Sequence, residues 1–287
     1  MNKIAVMDIG SNSVRLMTIA DGKVLYKTIK TTQLGEGLAF SSCLKETAME
    51  RTVSALKDFC NRARSEGADE LYAFATAAVR SADNAQEFKN LVRERCGLDL
   101  EVLSGEEEAR LGLLGSLGNE DGAIIDVGGA STELIIRADG KVVYAKSLDI
   151  GVVRIKDLCG REQRAVRELS EEYVQKFESP LIPKRVCAIG GTATTLAAVK
   201  LGLFEYDRNK VSNTILTYED MKNLSECLFS KSVEEIEKIP CVDRLRANVI
   251  AGGAEWLRVI MGKLGIDRVF VSDGDNLEGY ALSRGLL

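Results

Sequence analysis

Two short glycine turns carry the side chains with the most evident chemistry. The first reads Asp8-Ile9-Gly10-Ser11-Asn12-Ser13 and the second Asp126-Val127-Gly128-Gly129-Ala130-Ser131-Thr132-Glu133. Glycine lets a backbone approach an oxyanion closely, and serine, threonine and asparagine add donors beside it. The N–H groups of both turns can therefore cradle phosphate, with Gly10, Ser11, Asn12 and Ser13 in one and Gly128, Gly129, Ser131 and Thr132 in the other. Asp8 and Asp126 can hold a divalent cation, Mg²⁺ or Mn²⁺, which takes oxygen ligands and shares them with phosphate. A third turn, Gly190-Gly191-Thr192, lies between an apolar run and a helical pattern, the setting of an anion site at a helix N-terminus. Three consecutive carboxylates, Glu106, Glu107 and Glu108, follow Ser104-Gly105. The chain has no histidine, which excludes serine-type triads, phosphohistidine relays and His-ligated zinc. A carboxylate is then the natural general base. Ser104 and Glu107 fit a capping box, but spacing alone does not choose among the three glutamates.

The elements that must position these residues come as two copies of one pattern. Residues 5–26 align without a gap on residues 123–144 at a constant offset of 118, with eleven of 22 positions identical, Asp8/Asp126, Gly10/Gly128 and Ser13/Ser131 among them. Each copy opens as a three-stranded meander: strands 3–9, 13–20 and 23–30, then strands 122–127, 131–137 and 141–147, with Asp-Gly at the second turn of each. The first copy continues with helix 46–66, strand 70–75, helix 83–96, strand 99–103 and helix 105–117. The second continues with helix 163–178, strand 185–189, helix 193–201, helices 217–229 and 241–263, strand 267–271 and helix 275–284. Two βββαβαβα copies predict an α/β protein of two similar lobes related by a pseudo-two-fold, residues 1–119 and 120–287, with the first turns facing each other across an interlobe cleft that holds the active site.

The chain has 287 residues, 45% of them hydrophobic and 28% charged, which suits a globular protein with a sizeable core. Its net charge of −5, spread over both halves, and its 6% aromatic content argue against nucleic-acid binding. Seven cysteines, none within CxxC spacing, fit reduced core residues rather than a disulfide or zinc framework. With no charged-then-apolar leader and no apolar run of membrane length, the expectation is a cytoplasmic protein without membrane contact.

Taken together these pieces resemble the exopolyphosphatase/guanosine pentaphosphate phosphohydrolase (Ppx/GppA) family of the actin-like ATPase superfamily. The matching stretches are Asp8–Arg15, Ala75–Arg80 with Asn84, Ser104–Arg110, Asp126–Glu133, Gly151–Arg154 and Gly190–Thr194, in order along nearly the whole chain. The resemblance implies two ribonuclease-H-like lobes in the short, two-domain form. It implies that Glu108 is the catalytic base, that Asp126 and Glu133 belong to the metal and water site, and that Arg80 contacts phosphate. Helix geometry agrees on Glu108: at ~100° per residue the three glutamates point three ways, and Glu108 shares the face of Leu111 and Gly112. Two positions depart from the family pattern. Ala130 stands where a third glycine is usual, which puts a methyl beside a phosphate oxygen, and Leu277 where a basic residue is usual, which points away from a long polyphosphate channel, towards a shorter phosphorylated substrate or weak activity.

The implied activity is a metal-dependent phosphoanhydride hydrolase that releases terminal orthophosphate from inorganic polyphosphate or guanosine pentaphosphate. An ATP-dependent kinase or ATPase of the same superfamily and a non-catalytic phosphate or nucleotide sensor are the alternatives. The expected partner is polyphosphate or a phosphorylated guanosine nucleotide, and a homodimer is left open.

Overall fold

In the computed structural model, which describes residues 3–178 and 181–287, the chain is mixed α/β with two sheets. It divides into two compact units: Met1–Gly115 together with Asn276–Leu287, and Ser116–Asp275. The first cut thus falls four residues before the expected 119/120 boundary, and the last helix counts with the first unit rather than the second.

The first unit opens with β1 (Lys3–Ile9), β2 (Ser13–Ala20) and β3 (Lys23–Thr31). There follow α1 (Glu46–Ser65), β4 (Ala68–Ala75), α2 (Ala77–Arg80), α3 (Ala85–Cys96), β5 (Leu100–Val102) and α4 (Gly105–Leu117). The sheet order is β3-β2-β1-β4-β5, with β1 antiparallel to β2 and parallel to β4. The central strand β1 is a continuous apolar run because both faces of the sheet are covered. Ala5, Met7 and Ile9 face a core with Leu56, Phe59 and Phe88 of α1 and α3. Ile4 and Val6 face Leu111 of α4 and Leu277 and Tyr280 of the C-terminal helix. The two-residue period of a strand therefore puts Asp8 on the α4 side.

The second unit repeats the frame with β6 (Gly122–Val127), β7 (Thr132–Ala138) and β8 (Lys141–Leu148). It continues with α5 (Val152–Cys159), α6 (Gln163–Val174), β9 (Val186–Ile189), α7 (Gly190–Lys200), α8 (Arg208–Val211) and β10 (Ile215–Thr217). The remainder is α9 (Tyr218–Phe229), α10 (Val233–Ile236), a 3₁₀ turn at Arg244–Arg246, α11 (Ile250–Leu264) and β11 (Arg268–Val271), before α12 (Asn276–Ser283) returns to the first unit. Its sheet order, β10-β11-β9-β6-β7-β8, contains the first sheet's order plus one antiparallel edge strand.

The duplication extends to details. Asp21 and Gly22 have φ of 49° and 70°, and Asp139 and Gly140 have 50° and 70°, the positive pair that a two-residue hairpin turn requires. The β2–β3 register shifts at Thr18/Ile19 and the β7–β8 register at Ile136/Arg137, again at an offset of 118.

Several second-unit elements differ from expectation. Helix α5 was expected as neither helix nor strand, because its β-branched run Val152-Val153-Arg154-Ile155 has weak helix propensity. Helix α7 starts at Gly190, three residues early, and α11 starts at Ile250, nine residues late. The expected end of the helix at 178 falls at Val174. No described helix is long and apolar enough to cross a membrane.

Candidate active site

In the first unit the turn after β1 is closed by Gly10 N–H donating to the Ser13 carbonyl at 3.0 Å. Its peptide groups are then oriented from one side. The Ser11 carbonyl accepts from Gly35 N–H at 2.7 Å, and the Asn12 carbonyl from the N–H groups of Thr32 and Gln33 at 3.0 and 2.9 Å. In a trans peptide the N–H points opposite to its carbonyl, so the N–H of Asn12 is directed away from the 32–35 segment. Ser11, Asn12 and Ser13 are all buried, and the Asn12 side chain donates to Ser13 Oγ at 3.3 Å.

Asp8, expected as a metal ligand, is buried and forms an ion pair with Arg15, its direct partner across β1 and β2. Glu108 lies near enough for the Asp8 carboxylate to act on it electrostatically. The helix that carries Glu108 begins with the expected capping box. Ser104 N–H donates to Glu107 Oε2 at 2.9 Å, and Glu107 N–H to Ser104 Oγ at 3.2 Å. Glu106 and Glu107 are exposed, whereas Glu108 is only 7% exposed. Burial pushes the Glu108 carboxyl above the usual glutamate range; Arg80 opposes this, Asp8 adds to it and a hydrogen bond from Thr76 opposes it.

Arg80, expected at phosphate, donates from Nη1 to Glu108 Oε2 at 2.8 Å and to the Leu103 carbonyl at 3.0 Å. Thr76, at the N-cap of α2, makes no capping bond, and its hydroxyl favours the Glu108 anion. The first unit therefore gathers Asp8, Arg15, Arg80 and Glu108 into two paired charges, with Thr76 beside them.

The second unit builds a different centre on the same frame. Asp126 and Glu133 are direct partners across β6 and β7, where Arg15 faces Asp8 in the first copy. Glu133 is 3% exposed and accepts from Ser147 Oγ at 2.7 Å. Like charges placed opposite each other on neighbouring strands repel. Two facing carboxylates supply oxygen ligands of the kind Mg²⁺ takes, so these residues fit a divalent cation. Among the described residues no group of three or more His, Cys, Asp or Glu side chains is assembled for a metal, so the chain itself offers the pair rather than a closed cage.

The loop between β6 and β7 is oriented by α5. Val152 N–H donates to the Gly128 carbonyl at 2.9 Å and Val153 N–H to the Gly129 carbonyl at 2.8 Å. The N–H groups of Gly129 and Ala130 consequently point away from α5, and no hydrogen bond joins them to other described residues. The Ala130 methyl is buried, packed into the protein. Ser131 is buried and its carbonyl accepts from Gly128 N–H at 3.0 Å, closing the turn as Ser13 does.

Two expected phosphate ligands have other partners. The Thr132 hydroxyl donates to the Ile150 carbonyl at 2.6 Å and accepts from Trp256 Nε1 at 2.8 Å, with the residue fully buried. The Thr192 hydroxyl donates to the Val127 carbonyl at 2.8 Å, tying the third turn to the second. Both fix the loops rather than offer a free donor.

Gly190 sits at φ 77°, and a Cβ there would lie 2.5 Å from Asp126 Oδ1. Against Gly191 lies the guanidinium of Arg246, which is 7% exposed. Sequence reasoning gave no role to Arg246, Arg15, Thr76 or Ser147. Arg15 had a signal, since the repeat sets it at the position of Glu133; Ser147 likewise corresponds to Ile29. Arg246 had none, because it comes from a turn 55 residues beyond Gly191.

A model of the Ppx/GppA phosphatase family matches residues 13–286 of the chain. Exopolyphosphatase 2 of Mycobacterium tuberculosis is 28% identical over 99% of this chain and 98% of the relative. A bifunctional 3-dehydroquinate synthase/phosphatase of Fusobacterium nucleatum is 29% identical over 97% of this chain and 46% of the relative. The crystal structure of an Aquifex aeolicus Ppx/GppA family member is 31% identical and superposes with a TM-score of 0.78 over 99% of this chain and 98% of that one. That of an exopolyphosphatase-like protein is 26% identical, with a TM-score of 0.90 over 99% of this chain and all of the other.

Proposed function

The chain belongs to the Ppx/GppA phosphatase family, and on that premise we propose that it is a phosphoanhydride hydrolase releasing terminal orthophosphate from inorganic polyphosphate or guanosine pentaphosphate. The observation that carries the reading is the burial of Glu108 alone among three adjacent glutamates, with its carboxyl held above the usual range. A carboxylate that is more basic than usual takes a proton from water more readily, which is the task of a general base. Relatives that span this chain's length carry the name exopolyphosphatase, which favours polyphosphate.

In this reading Glu108 accepts the proton of the attacking water. Arg80 holds the carboxylate that does so. Within each unit by itself, the outward N–H groups, of Asn12 in the first and of Gly129 and Ala130 in the second, can donate to phosphoryl oxygens, where negative charge gathers as the bond to the leaving phosphate breaks. Asp126 and Glu133 would hold Mg²⁺ or Mn²⁺, and Asp8 stays with Arg15. A bound cation there would neutralise phosphate charge.

The test is orthophosphate release with Mg²⁺, side by side, from long polyphosphate, tripolyphosphate, guanosine pentaphosphate and ATP. Release from polyphosphate or guanosine pentaphosphate, abolished by excess chelator, is expected. Release from ATP alone would sink the reading.

A further inference from the structure

Three residues form one row across the meander of the second unit. Asp126 faces Glu133 on the neighbouring strand, and Glu133 faces Ser147 on β8, the outermost strand. Period-two alternation directs all three side chains to the same face. The equivalent row in the first unit is Asp8, Arg15 and Ile29. There an arginine neutralises the acid, and the third position is an aliphatic side chain with nothing to donate. A hydroxyl stands at the third position only in the copy whose second position is a carboxylate.

The contact is short and direct. Ser147 Oγ lies 2.7 Å from Glu133 Oε1, and Glu133 is almost wholly buried. A glutamate has three rotatable bonds to its carboxylate, and binding a cation with it costs the freedom they carry. A hydrogen bond to one oxygen restricts the carboxylate's rotation in advance, so less of that freedom remains to be lost when a cation binds. Partners of this kind around metal ligands typically set ~10–100-fold in affinity.

We propose that Ser147 is a positioning residue that orients the Glu133 carboxylate for divalent-cation binding, an inference resting on the cation reading above. A merely structural hydroxyl would instead satisfy a buried oxygen and leave cation affinity alone. Mn²⁺ binding to the full chain, followed by electron paramagnetic resonance without substrate, separates the two.

Ser147→Ala should weaken Mn²⁺ binding ~10-fold or more and raise the Mg²⁺ concentration for half-maximal orthophosphate release by a similar factor. Its kcat at saturating Mg²⁺ should change little, and Ser147→Thr, which keeps the hydroxyl, should restore most of the affinity. If Asp126→Ala and Glu133→Ala lose Mn²⁺ while Ser147→Ala binds it like the unaltered chain, the positioning role is overturned and the cation site stands. If Asp126→Ala and Glu133→Ala both keep normal Mn²⁺ affinity, the cation reading fails and the positioning role with it.

Discussion

Glu108 is held in a contest between burial, which disfavours its charge, and Arg80, which favours it. Burial wins, so its carboxyl binds a proton more tightly in the folded chain than the ordinary value of 4.5 would allow. A carboxyl raised in this way destabilises the fold while ionised. The penalty is full above the folded-state value and vanishes as pH falls below the unfolded one. Glu108→Gln removes the charge at every pH. The variant should therefore melt no lower than the unaltered chain at pH 8, with any advantage shrinking towards acid. Its turnover should fall ~10²–10⁴-fold, and Glu106→Gln should stay near normal because Glu106 is exposed. The acid limb of the rate profile should sit above the ordinary glutamate value, and Arg80→Ala should move it further up, because the anion loses its cation. A limb that stays in place on removing Arg80 would argue that Arg80 serves phosphate and not the base. The direction of Glu108 was legible in the sequence because capping and the helix repeat are local rules. Its pairing with Arg80 was not, because the two lie 28 residues apart and only the fold brings them together.

Helix α5 shows how an element can shape a site without lending it a side chain. Its first two N–H groups are spent on the carbonyls of Gly128 and Gly129, and that turns the next two amides outward. The approach requires glycine at 151, where a Cβ would overlap the Gly128 carbonyl and the Gly129 backbone. Those atoms cannot swing aside as a side chain could. Gly151→Ala should push α5 off the loop, destabilising the protein by ~1–3 kcal/mol as overpacking does and raising KM for the phosphorylated substrate. Gly160→Ala is the control: it also strains the backbone, at φ 58°, but a Cβ there meets nothing within 4 Å. It should lower the melting temperature and leave KM alone, and equal KM changes in both variants would remove α5 from the site. The strands and turns of both meanders and the bounds of α4 could be read from the sequence, because alternation, Asp-Gly turns and a capping box are strong local signals. Helix α5 could not, since Val-Val-Arg-Ile says strand or nothing locally, and only docking on the glycine loop makes it a helix.

For the molecule as a whole, one duplicated frame carries two chemistries: paired opposite charges around a base in the first unit, and facing carboxylates in the second. The repeat was legible at the offset of 118, but the assignment of the final helix was not, because sequence order places α12 after the second copy and says nothing of what it packs against. It belongs with the first unit. Leu277, Tyr280 and Ala281 are buried in one cluster with Met17, Ile19 and Phe74. The Tyr280 ring stacks on Phe74 with centroids 4.7 Å apart, and its hydroxyl donates to Glu101 at 2.9 Å. Lys27 of β3 pairs with Glu278 at 3.0 Å, and Gly279 lets α12 touch the Leu111 carbonyl of α4. Removing a buried leucine costs ~2–5 kcal/mol and a large aromatic ~3–5, against the ~5–15 kcal/mol that keeps a typical domain folded. A chain ending at Asp275 should therefore lose its first unit and keep its second. Hydrogen exchange should find the amides of β1, β2 and β4 unprotected and those of β6, β7 and β9 still protected, although the deleted residues follow the second copy in the sequence. Loss of protection in the second unit with the first intact would reverse the assignment of α12.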